Sequence, residues 1–188
     1  MKKLLFRFAL LISCTFFVSC SGGAFTTASA SRISSDSHAA LDSLYKANPK
    51  ARNLAKRSKG VLVFPKITKA GFLVGGMGGN GALLRPGGAT QAYYQTAGLS
   101  YGLQIGAQKY GYALFLMDEK AISDLNGAGG WEIGSAPSIV VIDQGVASSL
   151  STTNLNASAY AVFFNQTGLM AGIGLQGSKI TRFQPNKN

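Results

Sequence analysis

Between Ser37 and Gly60 the apolar residues recur at helical spacing, and beyond Gly60 they alternate. Leu41, Leu44 and Tyr45 stand at i, i+3 and i+4, which predicts a helix from about Ser37 to Ala47. Asn48 and Pro49 end it and start another, with Asn48 as N-cap and Pro49 as first helical residue. This second helix runs from Pro49 to Lys59, and Gly60 suits the position just past its end. Ala51, Leu54, Ala55 and Ser58 form its apolar face; Lys50, Arg52, Lys56, Arg57 and Lys59 cover the rest.

The two-residue period then predicts strands. Val61 to Phe64 reads as a short buried strand stopped by Pro65. Ala97 to Gln108 places Leu99, Tyr101, Leu103 and Ile105 on one face and Gly98, Ser100, Gly102, Gln104 and Gly106 on the other. Leu169 to Lys179 repeats that design, down to a shared GLQ at 102–104 and 174–176. Tyr112–Met117, Ser138–Ile142 and Tyr160–Phe164 are further strands, and Asn165 to Gly168 predicts a hairpin turn. Asp118 caps one short helix over Glu119–Leu125, which the glycines from Gly127 to Gly130 end. The fold class that follows is mostly β (α+β). Its body is a curved, Gly-rich antiparallel sheet or small β-barrel, with two short N-terminal helices and one inserted short helix.

One glycine cluster invites a different reading. In GFLVGGMGGNGALL, from Gly71 to Leu84, the residues Gly76, Gly78 and Gly81 spell G-x-G-x-x-G after an apolar run. A dinucleotide loop must open a helix, because the helix N-terminus holds the pyrophosphate. Only Ala82 to Arg85 separate Gly81 from Pro86, Gly87 and Gly88, and the next acid is Asp118. These glycines are therefore backbone architecture, a glycine-rich strand and turn.

The first residues read as a processing segment. MKKLLFR supplies positive charge, and Phe8 to Val18 supply an apolar run too short to span a bilayer. Phe17-Val18-Ser19-Cys20 resembles a lipobox, with Cys20 as the lipidated residue; the alternative is cleavage after Ala30. The expected organisation is a lipoprotein signal peptide at 1–19, a flexible Ser/Ala-rich tether at 20–37 and one domain at 38–188. Ser21 after the cysteine suits lipid anchoring in a Gram-negative envelope at the outer membrane. Both cysteines, Cys14 and Cys20, belong to this leader, so the domain is expected to hold no disulfide or thiolate metal site.

Charge narrows the possible partners. The chain of 188 residues has a formal net charge of +11, and setting aside Lys2, Lys3 and Arg7 leaves a strong positive excess that favours anionic partners. Eight basic residues and no acid lie between Lys46 and Lys69: Lys46, Lys50, Arg52, Lys56, Arg57, Lys59, Lys66 and Lys69. An ordinary exposed helix mixes signs for pairing along its surface. The segment reads as a contact for lipid headgroups, as a solvated face, or as a site for another anion. Nucleic acid is excluded, because no aromatic platform accompanies the charge. His38 is the only histidine and falls at the tether–helix junction, and the acids are scattered. No catalytic pair, metal site or cofactor is expected, and the chain does not read as an enzyme.

Several longer stretches resemble the SYLF domain, also called the Ysc-type actin-binding domain. They are Lys59-Gly60, Val63-Phe64-Pro65-Lys66, Lys69-Ala70-Gly71-Phe72, Gly75-Gly76, Gly79 and Gly81, then Gly102-Leu103-Gln104, Gly106-Ala107-Gln108, Gly130-Trp131-Glu132-Ile133-Gly134 and Gly168-Leu169-Met170-Ala171-Gly172. The resemblance spans roughly residues 40 to 183. It implies a non-catalytic lipid-binding module for anionic, phosphoinositide-like headgroups, with an N-terminal amphipathic helix and basic residues in contact. Arg52, Lys56, Arg57, Lys59, Lys66 and Lys69 are the matching headgroup-binding candidates. It also implies actin as a partner of some members, and so a protein–protein module as the alternative. A third variant is an acyl chain bound within the barrel.

Overall fold

A computed structural model of the chain describes residues 28–127, 131–133, 139–142, 157–168 and 178–186. In chain order its elements are α1 (Ala30–Ala47), α2 (Pro49–Arg57), β1 (Gly60–Leu84), β2 (Thr90–Leu116), α3 (Glu119–Leu125), β3 (Trp131–Ile133), β4 (Ile139–Ile142), β5 (Ala159–Gly168) and β6 (Ser178–Phe183). Cys14, Cys20, the leader and the tether as far as residue 27 lie outside the described residues, as does most of the Leu169–Lys179 segment.

β1 and β2 form one very long antiparallel hairpin, paired from Gly60↔Leu116 to Leu84↔Thr90. Its turn follows from composition. Gly88 N–H donates to Arg85 C=O at 2.9 Å across Pro86 and Gly87, and Gly87 (φ 92°) and Gly88 (φ 88°) take the left-handed conformation that only glycine adopts cheaply. The other edge of β2 takes β6 along residues 93–98 and β5 along residues 108–116. The same number of residues separates Gly98 from Gln108 on β2 as separates Ser178 from Gly168 opposite them. β3 adds to β6, and β4 adds to β5 in parallel; among the described residues the other strand pairs are antiparallel, and an isolated bridge joins Ser29 and Asn186 in parallel. The stretch from Ile142 to Ala159 is long enough for the crossover a parallel pair needs. Among the described residues the sheet is mostly β, curved and unclosed, with β3 and β4 as its ends. Of the two forms expected, the curved sheet is the one present.

The hairpin is folded over on itself. A Cβ on Gly79 would run into the Lys66 carbonyl, and one on Gly81 into the Val63 carbonyl. Only glycine lets the two arms of β1 approach so closely. Between the arms lies an inner core that includes Leu62, Phe64, Ile67, Leu83, Tyr94, Tyr110, Tyr112, Leu114, Phe163 and Ile180, with Ile122 and Leu125 of α3 and Trp131 of β3. On the outside, α1 and α2 cover a second cluster of Val61, Val63, Leu84, Phe115, Val162 and Phe164 with Ile33, Leu41, Leu44, Ala51 and Leu54.

Four local expectations change. First, α1 starts at Ala30, so residues 30–37, read as tether, are its first two turns. Ser29 caps it, Ile33 and Ser37 are buried, and Ser34 Oγ meets Thr90 Oγ1 at 2.7 Å. A Ser-rich stretch becomes helical because the sheet receives its one apolar side chain. Second, β1 runs through Pro65, which sits at a register shift between Phe64 and Ile67, where a missing N–H breaks no ladder bond. Third, Asn165 to Gly168 is strand, not turn: one extra residue on β5 opposite Lys109 and Gly111 makes a bulge, and Asn165 takes φ 52°. Fourth, α2 ends at Arg57 with Ser58 as its cap, and Gly60 opens β1.

Candidate basic surface and cleft

α2 forms where the sequence predicts it. Asn48 Oδ1 accepts from the N–H groups of Lys50 (3.1 Å) and Ala51 (3.3 Å), and Pro49 takes the first helical position. Ala51 and Leu54 are buried against the sheet, so Lys50, Arg52, Lys56 and Arg57 must face outward. No Asp or Glu occurs between Asp42 and Asp118. The ion pairs Arg32–Asp36, Arg85–Glu119 and Lys120–Asp124 lie elsewhere, and Lys56, Lys59 and Lys66 join none of them.

The six headgroup candidates divide. Arg52 and Lys56, one turn apart on α2, line a common cleft. Arg57 and Lys59 are exposed beside them at the α2–β1 junction. Lys66 is exposed as well, but sits about 20 Å further along β1 at 3.3 Å per residue. Lys69 is only 6% exposed and cannot face a headgroup. The bulge at Pro65 and Lys66 resets the alternation, so Lys69 falls on the inner face with Ile67. α1 is amphipathic, yet its apolar face is spent on the outer core and does not face solvent.

The cleft, of about 540 Å³, lies between α1, α2 and the β1–β2 turn. Leu41, Val61 and Leu84 make its apolar wall, with Tyr45 and Ala55 beside them. Arg52 stands over the Tyr45 ring, its guanidinium carbon 5.5 Å from the centroid. Arg85 is fixed in place: Nη1 donates to Glu119 Oε1 (3.2 Å) and to the Lys59 carbonyl (3.1 Å), and Nε to Gln91 Oε1 (2.7 Å). His38 and Asp42 complete the rim. Burial pushes the Tyr45 phenol up to about 12, with Arg52 opposing and Asp42 reinforcing the rise, so its hydroxyl stays a donor at neutral pH. Sequence reasoning named Arg52 and Lys56 but missed His38, Tyr45 and Arg85. The hairpin alone brings Arg85 back to α2, and the turn signal at Pro86, Gly87 and Gly88 was the only hint of it.

A second hollow, lined by Thr68, Ala70, Gly76, Met77, Ala97, Gly98 and Leu99, lies on the hairpin bend and carries no charge. Gly76, Gly78 and Gly81 are all within β1, and no helix follows them, as the absence of a nucleotide loop requires. Among the described residues no three His, Cys, Asp or Glu side chains gather as metal ligands, and no helix is long and apolar enough to cross a membrane.

Residues 97–187, from the outer arm of β2 to the C-terminal end, match the model of the family described as Ysc84, Las17-binding protein actin regulator. This segment is similar to a Ysc84 (SYLF) domain. The matched segment contains most of β2, α3 and β3 to β6, and the basic helix and the residues that line the cleft all precede it. No curated protein matches the chain. The match makes residues 97–187 similar to a binding-domain family, and the chemistry of any ligand rests on the chain's own residues.

Proposed function

We propose that this protein is a non-catalytic binding module that meets anionic phospholipid through α2 and its flanks. Arg52, Lys56, Arg57 and Lys59 make the principal contact, and Lys66 adds to it. The observation that carries this reading is a run of exposed basic side chains in a stretch with no carboxylate from Ser43 to Met117. Each Lys or Arg near an anionic bilayer contributes about 1 kcal/mol, so four or five at one surface give a useful peripheral affinity. Acylation at Cys20 would supply the second signal that stable anchoring requires, on the envelope membrane to which the leader directs the chain.

The test is flotation of the purified Cys20→Ser chain with phosphatidylglycerol-containing and pure phosphatidylcholine vesicles across a salt series. Binding to the anionic vesicles alone, falling steeply with salt, is expected; equal binding to both, or to neither, rejects the reading. A second reading is a protein-binding module, favoured by the description of the matched family as an actin regulator. Co-sedimentation with actin filaments, without vesicle binding, would replace the first reading with it.

A further inference from the structure

We propose that the cleft between α1, α2 and the β1–β2 turn holds one phosphate-bearing amphiphile, its phosphate between Arg52, Lys56 and Arg85 and its hydrocarbon along Leu41, Val61 and Leu84. This deepens the lipid reading above and rests on it: a flat basic surface needs no cavity, whereas this one is built around one.

Three features point to that ligand class. The volume of about 540 Å³ lies in the range of small-molecule sites and accommodates a headgroup with the first part of a chain. Its polar and apolar groups are segregated: the wall is buried aliphatic side chain, with Leu41 at 8%, Val61 at 6% and Leu84 at 3% exposure, and the cations stand at the rim. Its charge is also only partly compensated: Asp42 lines the cleft and Glu119 pairs with Arg85, while Arg52 and Lys56 join none of the ion pairs described above. Arg85 is also pre-oriented by Glu119, Gln91 and the Lys59 carbonyl, so presenting its guanidinium requires little side-chain ordering on binding. Guanidinium and ammonium groups, with the neutral Tyr45 phenol in the same lining, suit phosphate oxygens.

Nuclear magnetic resonance titration of the ¹⁵N-labelled Cys20→Ser chain with dihexanoyl phosphatidic acid tests this. Amide shifts are expected at Tyr45, Arg52, Ala55, Lys56, Val61 and Leu84; shifts confined to the hairpin bend or to Lys66 would overturn it. Inorganic phosphate should bind at least tenfold more weakly, and equal affinity would mean a free-phosphate site and reject the amphiphile. Octyl glucoside should not compete, and displacement by it would reject the anion contact. Ala55→Met narrows the cleft without altering charge and should weaken the short lipid at least fivefold while leaving flotation on anionic vesicles within twofold. Lys66→Ala should do the reverse. Loss of vesicle flotation with the cleft shifts retained breaks the surface reading alone, and flotation without the shifts breaks this one alone.

Discussion

The two faces of the β1–β2 hairpin come from the same strands yet are packed in opposite ways. Inside, the arms of the hairpin press together through glycine, with backbone against backbone and large aromatics between them; Phe64 and Tyr112 lie 4.8 Å apart, centroid to centroid. Outside, the sheet is covered by helices whose side chains do the packing, and the cover leaves a cleft. Close approach at Gly79 and Gly81 fixes a shape, and the hollow at the bend of this hairpin carries no charge. A layer of side chains tolerates a gap, and chemistry can be placed at its edge.

The contrast can be broken most forcefully at Gly81. Gly81→Val should cost about 3 kcal/mol or prevent folding, read by urea denaturation, because the strained neighbour is the Val63 backbone and cannot rotate away. A cost below 1 kcal/mol would mean the arms are less tightly apposed. On the outer face, Leu44→Ala removes a side chain only 1% exposed and should cost about 2–3 kcal/mol in the same assay. It should also loosen the helical cover and weaken the short lipid.

Alkali tests burial next. Burial pushes Tyr110 up to about 12 and Tyr112 higher still, both in the inner core, and pushes Tyr45 on the outer face up to about 12 as well. The unfolded chain therefore releases these protons first. Stability should be unaffected by them below pH 10 and should fall above it, by about 1.4 kcal/mol per pH unit for each tyrosine until its folded value is reached. Thermal melts from pH 8 to pH 11 check this. Tyr110→Phe and Tyr112→Phe should each flatten the decline, and a melting temperature that holds level to pH 11 would contradict the burial. The smallest effect is expected at the α2 cap: Asn48→Ala should cost about 1 kcal/mol and leave the inner core untouched.

Much of this layout could be read from local signals. Asn48-Pro49 and Asp118 marked helix starts because capping is chemistry between near neighbours, and the Asp118 carboxylate does accept from Ala121 N–H at 2.7 Å. Alternation found strands but not every face: Leu99, read on the apolar face of Ala97–Gln108, is exposed, and Gln108 is buried. What was missed depends on distant partners. Pro65 looked like a stop until β2 supplied a register in which its lost N–H mattered little, and three predicted strands proved to be arms of two long ones. Ile33 gave no stripe by itself, yet the sheet surface it packs on makes residues 30–37 helical. At the candidate site the charges of α2 were legible, because nothing in sequence opposes them. Lys69 was misassigned because one bulge reverses which face a strand residue takes, and that bulge has no local signature beyond Pro65.

That bulge has a further consequence. Among the described residues β1 is hydrogen-bonded along one edge only, and twenty-five residues of open edge would offer a template for a second chain to pair and start a fibril. Pro65 removes one donor from the middle of its inner arm, Lys66 places a charge beside it, and the reversal of the hairpin keeps the two arms from presenting a single straight ladder. The kink that redirects Lys69 thus also acts as a guard against self-assembly, and Pro65→Val with Lys66→Val should raise the tendency of the chain to aggregate.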